Sequence, residues 1–126
     1  MFTGLIEEIG RVKNIDSRGS DIRICVETRG KLLEGTGLGE SIAVSGICLT
    51  VTDISPLIFW ADVSVETLKT TTIGSWQVGC EVNLERSLKS ESRMGGHIVT
   101  GHIDGVGEIV KREEEGRSWR FLFRAP

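Results

Sequence analysis

The sequence predicts an all-β fold: a six-stranded antiparallel closed barrel of Greek-key type carrying one short helix, followed by the beginning of a second homologous barrel. Three observations predict it. Short stretches of alternating apolar and polar residues recur along the 126-residue chain, most of them bounded by glycine or serine, which is the pattern of half-buried strands joined by tight turns. Sixteen glycines stand against two prolines and no tyrosine, a composition suited to short strands and glycine turns. Finally, the chain starts twice. At an offset of 97 positions Thr3, Gly4, Ile6 and Gly10 fall on Thr100, Gly101, Ile103 and Gly107, and Gly19 and Arg23 fall on Gly116 and Arg120, with no insertion. Self-similarity across a turn and two strand-like runs marks a duplicated unit.

Taken in order, Ile9 to Ile15 alternates as a first strand, Asp16 to Ser20 turns around Gly19, and Asp21 to Glu27 alternates again. These runs predict a hairpin with a loop of about five residues. Lys31 to Glu40 contains Gly35, Gly37 and Gly39; a phosphate loop of that kind needs a following helix, and none is indicated, so the run reads as plain loop. Ser41 to Val44 and Ile47 to Asp53 pair across Ser45-Gly46, which puts Cys48, Thr50 and Thr52 on one strand face and Ile47, Leu49 and Val51 on the other. Ser55-Pro56 leads into an apolar strand from Leu57 to Val63, then a short helix from Glu66 to Thr72 weakened by its threonines, then a sixth strand from Cys80 to Glu85. Closing six strands into a barrel removes their edges. Arg86 to Gly95 is a polar linker, so residues 1–97 form the first unit and residues 98–126 the start of the second. Phe121, Leu122 and Phe123 then lie on an apolar strand without partners. The expectation is that the chain is a fragment, or that this tail packs on the first barrel or on another subunit.

Charge and cysteine usage narrow the function. A net charge of -3 argues against a nucleic-acid groove, which needs clustered lysine and arginine. Cys25, Cys48 and Cys80 are odd in number and far apart, with only His97 and His102 to assist; this fits free thiols in a reducing compartment and excludes a Cys/His zinc site of the usual spacing. The start, MFTGLIEE, lacks the basic region of a signal peptide, and no apolar run is long enough to span a bilayer. A cytoplasmic protein without a membrane partner is expected.

Five motifs carry a resemblance: MFTGLIEEIGRV at the start, SGICLTVTD, DVSVETLKTTTIG, VNLERSLK and MGGHIVTGHIDGVGEI. Together, in this order and spacing, they resemble riboflavin synthase. The resemblance implies two barrels of one kind, a trimer, and transfer of a four-carbon unit between two molecules of 6,7-dimethyl-8-ribityllumazine. The products are riboflavin and 5-amino-6-ribitylamino-pyrimidinedione, and neither a metal nor a redox cofactor takes part. Donor and acceptor are the same compound, so two like pockets facing across a pseudo-twofold axis would fix both reactants, which is worth on the order of 7 to 11 kcal/mol of barrier. Lumazine synthase is a further partner that the resemblance suggests. A lumazine- or flavin-holding protein of similar build that does no chemistry is the alternative.

The same resemblance implies the site. Gly4, Leu5 and Ile6 match one ligand-contacting stretch; Cys48, Leu49 and Thr50 match a second. Asp62, Val63, Ser64, Val65, Glu66 and Thr67 match a third, with Glu66 suited to ribityl hydroxyls, and Gly101, His102 and Ile103 are the duplicate of the first, expected to serve a pocket built with the second barrel. Ser41, Cys48 and His102 are the candidate nucleophiles or proton shuttles, and Phe2 could stack on the ring. Each has a plainer reading: Cys48 as a buried small hydrophobe, His102 as a surface histidine, Ser41 as a strand-opening backbone partner, Glu66 as the first-turn acid of a helix, and Trp60 and Trp76 as core.

Overall fold

The computed structural model describes residues 1–89, 91, 93, 95, 96, 98 and 102–126. Six strands close into an antiparallel barrel in the order β1-β2-β5-β4-β3-β6. They are β1 (Glu8–Arg18), β2 (Asp21–Glu27), β3 (Ser41–Val44), β4 (Ile47–Ile54), β5 (Ile58–Val63) and β6 (Glu81–Arg86). Between β5 and β6 lie the helix α1 (Val65–Thr70) and a 3-10 turn at Ile73–Ser75. The barrel closes where β1 pairs with β6, Glu8 opposite Leu84 and Gly10 opposite Val82. Non-sequential neighbours, β2 beside β5 and β3 beside β6, give the Greek-key crossing.

One residue from each pleat fills the interior. Val12, Ile24, Val26, Ile42, Val44, Phe59 and Leu84 have no exposed surface, and this inward set is what a half-polar alternation produces once the sheet is closed. On β4 the inward residues are Ile47, Leu49 and Val51, leaving Cys48, Thr50 and Thr52 to face out. Cys48 is half-buried on that outer face, which corrects its reading as a core residue. Trp60 also faces outward, between buried Phe59 and Ala61 on β5, whereas Trp76 packs against the core.

Local corrections follow from hydrogen bonding that alternation cannot report. The first hairpin turns on two residues rather than about five: the ladder continues through Asp16 opposite Arg23 to Arg18 opposite Asp21. These residues are polar on both faces, so the apolar signal stops while the backbone pairing does not. Gly19 takes a φ of 67° at the first turn position, the requirement of a type II′ turn. Helix α1 begins earlier than Glu66 and ends before Thr72, because the Ser64 hydroxyl accepts from the Thr67 amide and Thr71 closes the other end. The Lys31 to Glu40 run is a succession of turns without a helix.

A second sheet starts another barrel. It consists of β7 (Glu108–Glu115) and β8 (Ser118–Arg124). It matches the first hairpin at the 97-residue offset in detail: each pair shifts register once, between Val12 and Asn14 and between Ile109 and Lys111. Gly116 turns with a φ of 62°. The glycines preceding these shifts share a steric cause. A Cβ on Gly10 would meet the Glu27 carbonyl at 2.8 Å, and one on Gly107 would meet the Arg124 carbonyl at 3.1 Å. Every residue of β7 and β8 is exposed. Of the alternatives for this tail, packing on the first barrel is not seen: Phe121 and Phe123, which stand where Ile24 and Val26 stand in the first barrel, are 43% and 66% exposed, their rings stacked on each other at 5.9 Å.

Candidate functional site

The outer face of β4, helix α1 and the segment before β7 enclose a cleft of about 320 Å3. From β4 come Ile47 and Cys48; from α1 and its cap come Ser64, Glu66, Thr67, Thr70 and Thr71; from the crossing segment come His102, Ile103 and Asp104. The local sequence explains each placement. Alternation on β4 turns Cys48 outward beneath α1. Ser64 caps the helix with its hydroxyl oxygen 3.2 Å from the Thr67 amide, which turns the first helical residues back over the end of β5. The segment then runs on past the β3–β4 turn, where Gly105, Val106 and Gly107 border a smaller cavity with Ser45 and Thr72.

The α1 wall is lined by hydroxyls. Thr70 Oγ1 donates to the Glu66 carbonyl at 2.9 Å and Thr71 Oγ1 to the Thr67 carbonyl at 2.7 Å. The Ser64 and Thr67 hydroxyls lie 3.1 Å apart and share one hydrogen bond. The cleft thus brings together a thiol, an imidazole and two carboxyls, those of Glu66 and Asp104, beside a wall of hydroxyls.

Six of the expected residues line this cleft: Cys48, Ser64, Glu66, Thr67, His102 and Ile103. His102 and Ile103 were expected to serve the second barrel and instead lie over the first. Leu49 and Val63 point into the barrel core at 3% and 1% exposure, so only their backbone is available on the outside. Ser41 stands opposite Thr50 on the same outer face as Cys48, two pairs along the ladder from the thiol and outside the cleft lining. Asp62 is exposed on β5, and Val65 donates its amide to Asp21 at 3.2 Å. Gly101 lies outside the described residues. Ile47, Thr70, Thr71 and Asp104 were not anticipated as site residues, although each lies within one of the motifs that carry the resemblance.

The first stretch goes elsewhere. Leu5 lines a separate cavity of about 350 Å3 with Thr3, Glu7, Glu85 and Arg86, so Gly4 to Ile6 and Cys48 do not meet in one pocket. The end of β6 holds this segment. Glu85, 5% exposed, accepts on Oε1 from the Thr3 amide at 2.6 Å, the Thr3 hydroxyl at 2.9 Å and the Gly4 amide at 3.2 Å. Arg86 grips both oxygens of Glu7, its Nη2 at 2.7 Å from Oε2. Burial raises the Glu7 carboxyl's affinity for a proton, but hydrogen bonds and charge from Arg86 outweigh it and hold the group below the usual carboxylate range. Phe2 is half-buried in the same strand-like lead.

Among the described residues no three His, Cys, Asp or Glu side chains gather as a metal ion would need, and no helix is long and apolar enough to cross a membrane.

Comparison with known proteins gives these features a context. Riboflavin synthase of Photobacterium leiognathi is 43% identical over the whole chain, and that of Bacillus subtilis (strain 168) is 44% identical over 94% of it. The chain spans 58% and 54% of the lengths of these two relatives. Among solved structures, LumP complexed with 6,7-dimethyl-8-(1'-D-ribityl) lumazine superposes with a TM-score of 0.87 at 29% identity, covering all of this chain and 69% of that one. LumP complexed with riboflavin gives a TM-score of 0.86. The model of the lumazine binding domain matches residues 3–87, the closed barrel from its amino-terminal lead to the end of β6, and the chain belongs to that family.

Proposed function

We propose that this chain is the ligand-holding part of a riboflavin synthase, with 6,7-dimethyl-8-ribityllumazine seated in the cleft between β4, α1 and His102 to Asp104. The observation that carries the reading is the meeting of Cys48, Glu66, Thr67 and His102 around one cleft, although they come from three separate motifs. Its volume of about 320 Å3 suits one small bicyclic ring with a short polar arm. Residues 1–97 are the first lumazine-binding barrel and residues 98–126 begin a second, and Gly4, Leu5 and Ile6 would by analogy with Gly101, His102 and Ile103 lie over the second barrel's ligand.

In this reading the residues divide the work. Cys48 and His102 flank the ring and move the proton that leaves an activated methyl group, the ring itself delocalising the negative charge. Ser41, opposite Thr50 on the outer face of the barrel, is a third candidate for that shuttle. Asp62, Glu66 and Thr67 receive the ribityl hydroxyls, while Leu49, Thr50, Val63, Ser64 and Val65 supply backbone around them and Phe2 stacks near the ring of the second site. Dismutation of two lumazines to riboflavin and the pyrimidinedione needs two such sites face to face, and proximity is then the main catalytic contribution. One closed barrel offers one cleft, so this chain alone binds ligand with little turnover. The complete enzyme would be a cytoplasmic homotrimer, with lumazine synthase as its supplier of substrate.

A second reading, a lumazine or flavin holder that does no chemistry, draws support from the LumP complexes. Cys48 and His102 in one cleft favour the enzyme. Titrating the chain with dimethyl-ribityllumazine and following its fluorescence tests the common part: saturable binding of one ligand per chain, lost in Cys48→Trp, is the expected result. Binding that ignores Cys48→Trp, or no saturable binding, would overturn the site. Appearance of riboflavin absorbance when the whole two-barrel protein is supplied separates enzyme from holder.

A further inference from the structure

The α1 wall carries more hydroxyl groups than the ligand-contacting stretch at residues 62–67 accounts for, and the donor and acceptor balance of those groups is informative. Thr70 and Thr71 both line the cleft. Each spends its proton on a helix carbonyl, Thr70 on Glu66 and Thr71 on Thr67, and one of the two protons of the Ser64 and Thr67 hydroxyls is spent between them. A hydroxyl whose proton is committed still has lone pairs to offer. Three of the four hydroxyl protons on this wall are therefore unavailable, and the carboxyl of Glu66 adds further acceptor oxygens. The wall accepts hydrogen bonds and hardly donates them. Its natural complement is a ligand arm rich in O–H donors, such as a polyhydroxylated chain, each hydroxyl of which can give its proton to the wall; a phosphorylated or carboxylated arm would bring acceptors without donors and like charge beside Glu66.

We infer that Thr70 is a specificity-determining residue, extending the acceptor wall one turn beyond Glu66 so that it reads the outer hydroxyls of a polyol arm. This rests on the functional reading above. Thr70 is half-buried and closes the helix, so its oxygen is held by the Glu66 carbonyl in a fixed place without a rotamer to freeze on binding. A valine there keeps the β-branched shape and removes only the oxygen.

The test uses two flavins that differ in the arm alone: riboflavin, and lumiflavin, which carries a methyl in place of the ribityl chain. Fluorescence titration of the wild-type chain, Thr70→Val and Thr70→Ser should show riboflavin weakened about three- to tenfold in Thr70→Val, as expected for one hydrogen bond, restored to within about twofold in Thr70→Ser, and lumiflavin equal in all three. A role limited to helix packing would shift both flavins together. Equal weakening of both flavins, or unchanged riboflavin binding in Thr70→Val, overturns the inference while leaving the cleft intact. Failure of the wild-type chain to bind either flavin overturns the functional reading and this inference with it.

Discussion

Removing the Glu85 carboxyl should unseat the amino-terminal lead and cost the barrel a measurable part of its stability. The carboxyl is buried and one oxygen accepts from three donors of Thr3 and Gly4, at 2.6, 2.9 and 3.2 Å. In Glu85→Ala those donors face a vacated space. An orphaned buried donor costs about 1 to 3 kcal/mol, and Thr3, 9% exposed, contributes two of them. The lead sits at a chain end and can lift toward water, which recovers part of that cost. A net loss of about 2 to 4 kcal/mol is expected, a large share of the 5 to 15 kcal/mol typical of a folded domain and on the order of 10 to 20 °C in Tm for a barrel this small. Glu85→Gln keeps an acceptor oxygen in place and loses only its charge, so about 1 kcal/mol should go. Urea unfolding at neutral pH gives the three stabilities, and amide exchange at Thr3 and Gly4 locates the damage. A loss below about 1 kcal/mol in Glu85→Ala, or exchange rates at Thr3 and Gly4 equal to wild type, would refute the reasoning.

Other perturbations test other parts of the fold. Gly10→Ala places a Cβ 2.6 Å from Leu84 Cδ1 and 2.8 Å from the Glu27 carbonyl, and Leu84 is fully buried in the core, so a loss of about 3 kcal/mol should appear in thermal unfolding. Phe121→Thr with Phe123→Thr removes exposed apolar surface from β8; sedimentation velocity should show less self-association while the barrel's urea midpoint stays within about 0.5 kcal/mol of wild type. The Glu7–Arg86 pair predicts an acid-side effect. Because the folded carboxyl sits below its unfolded value, its contribution is present above the usual carboxylate range and is lost as pH falls through the folded value. The stability difference between wild type and Glu7→Gln should therefore shrink on acidification, and a difference constant with pH would contradict the pairing.

Much of the fold was legible because periodicity reports which faces are apolar. Ile47, Leu49 and Val51 against Cys48, Thr50 and Thr52 was readable as two faces, and Gly10 and Gly107 were readable as one repeated position, their shared steric need emerging only with the paired strands. Periodicity fell silent where both faces are wet, which is why β1 ran on through Asp16 to Arg18 unseen. It also could not say which β4 face was outside, so the thiol's place on the surface of the barrel waited for closure.

The linear chain by itself determined the alternating cores of the strands, the duplication and the residue types that the resemblance singles out, since each depends on neighbours within a few positions or on a fixed offset. Tertiary structure alone decided which of these stretches meet. Barrel closure and the path of the crossing segment bring His102 to Cys48 across some fifty positions and send Leu5 to Glu85 instead. The physical reason is that strand order, not sequence order, sets adjacency in a closed sheet, and the hydrogen bonds by which Glu85 holds Thr3 span 82 positions, a separation that no local pattern encodes.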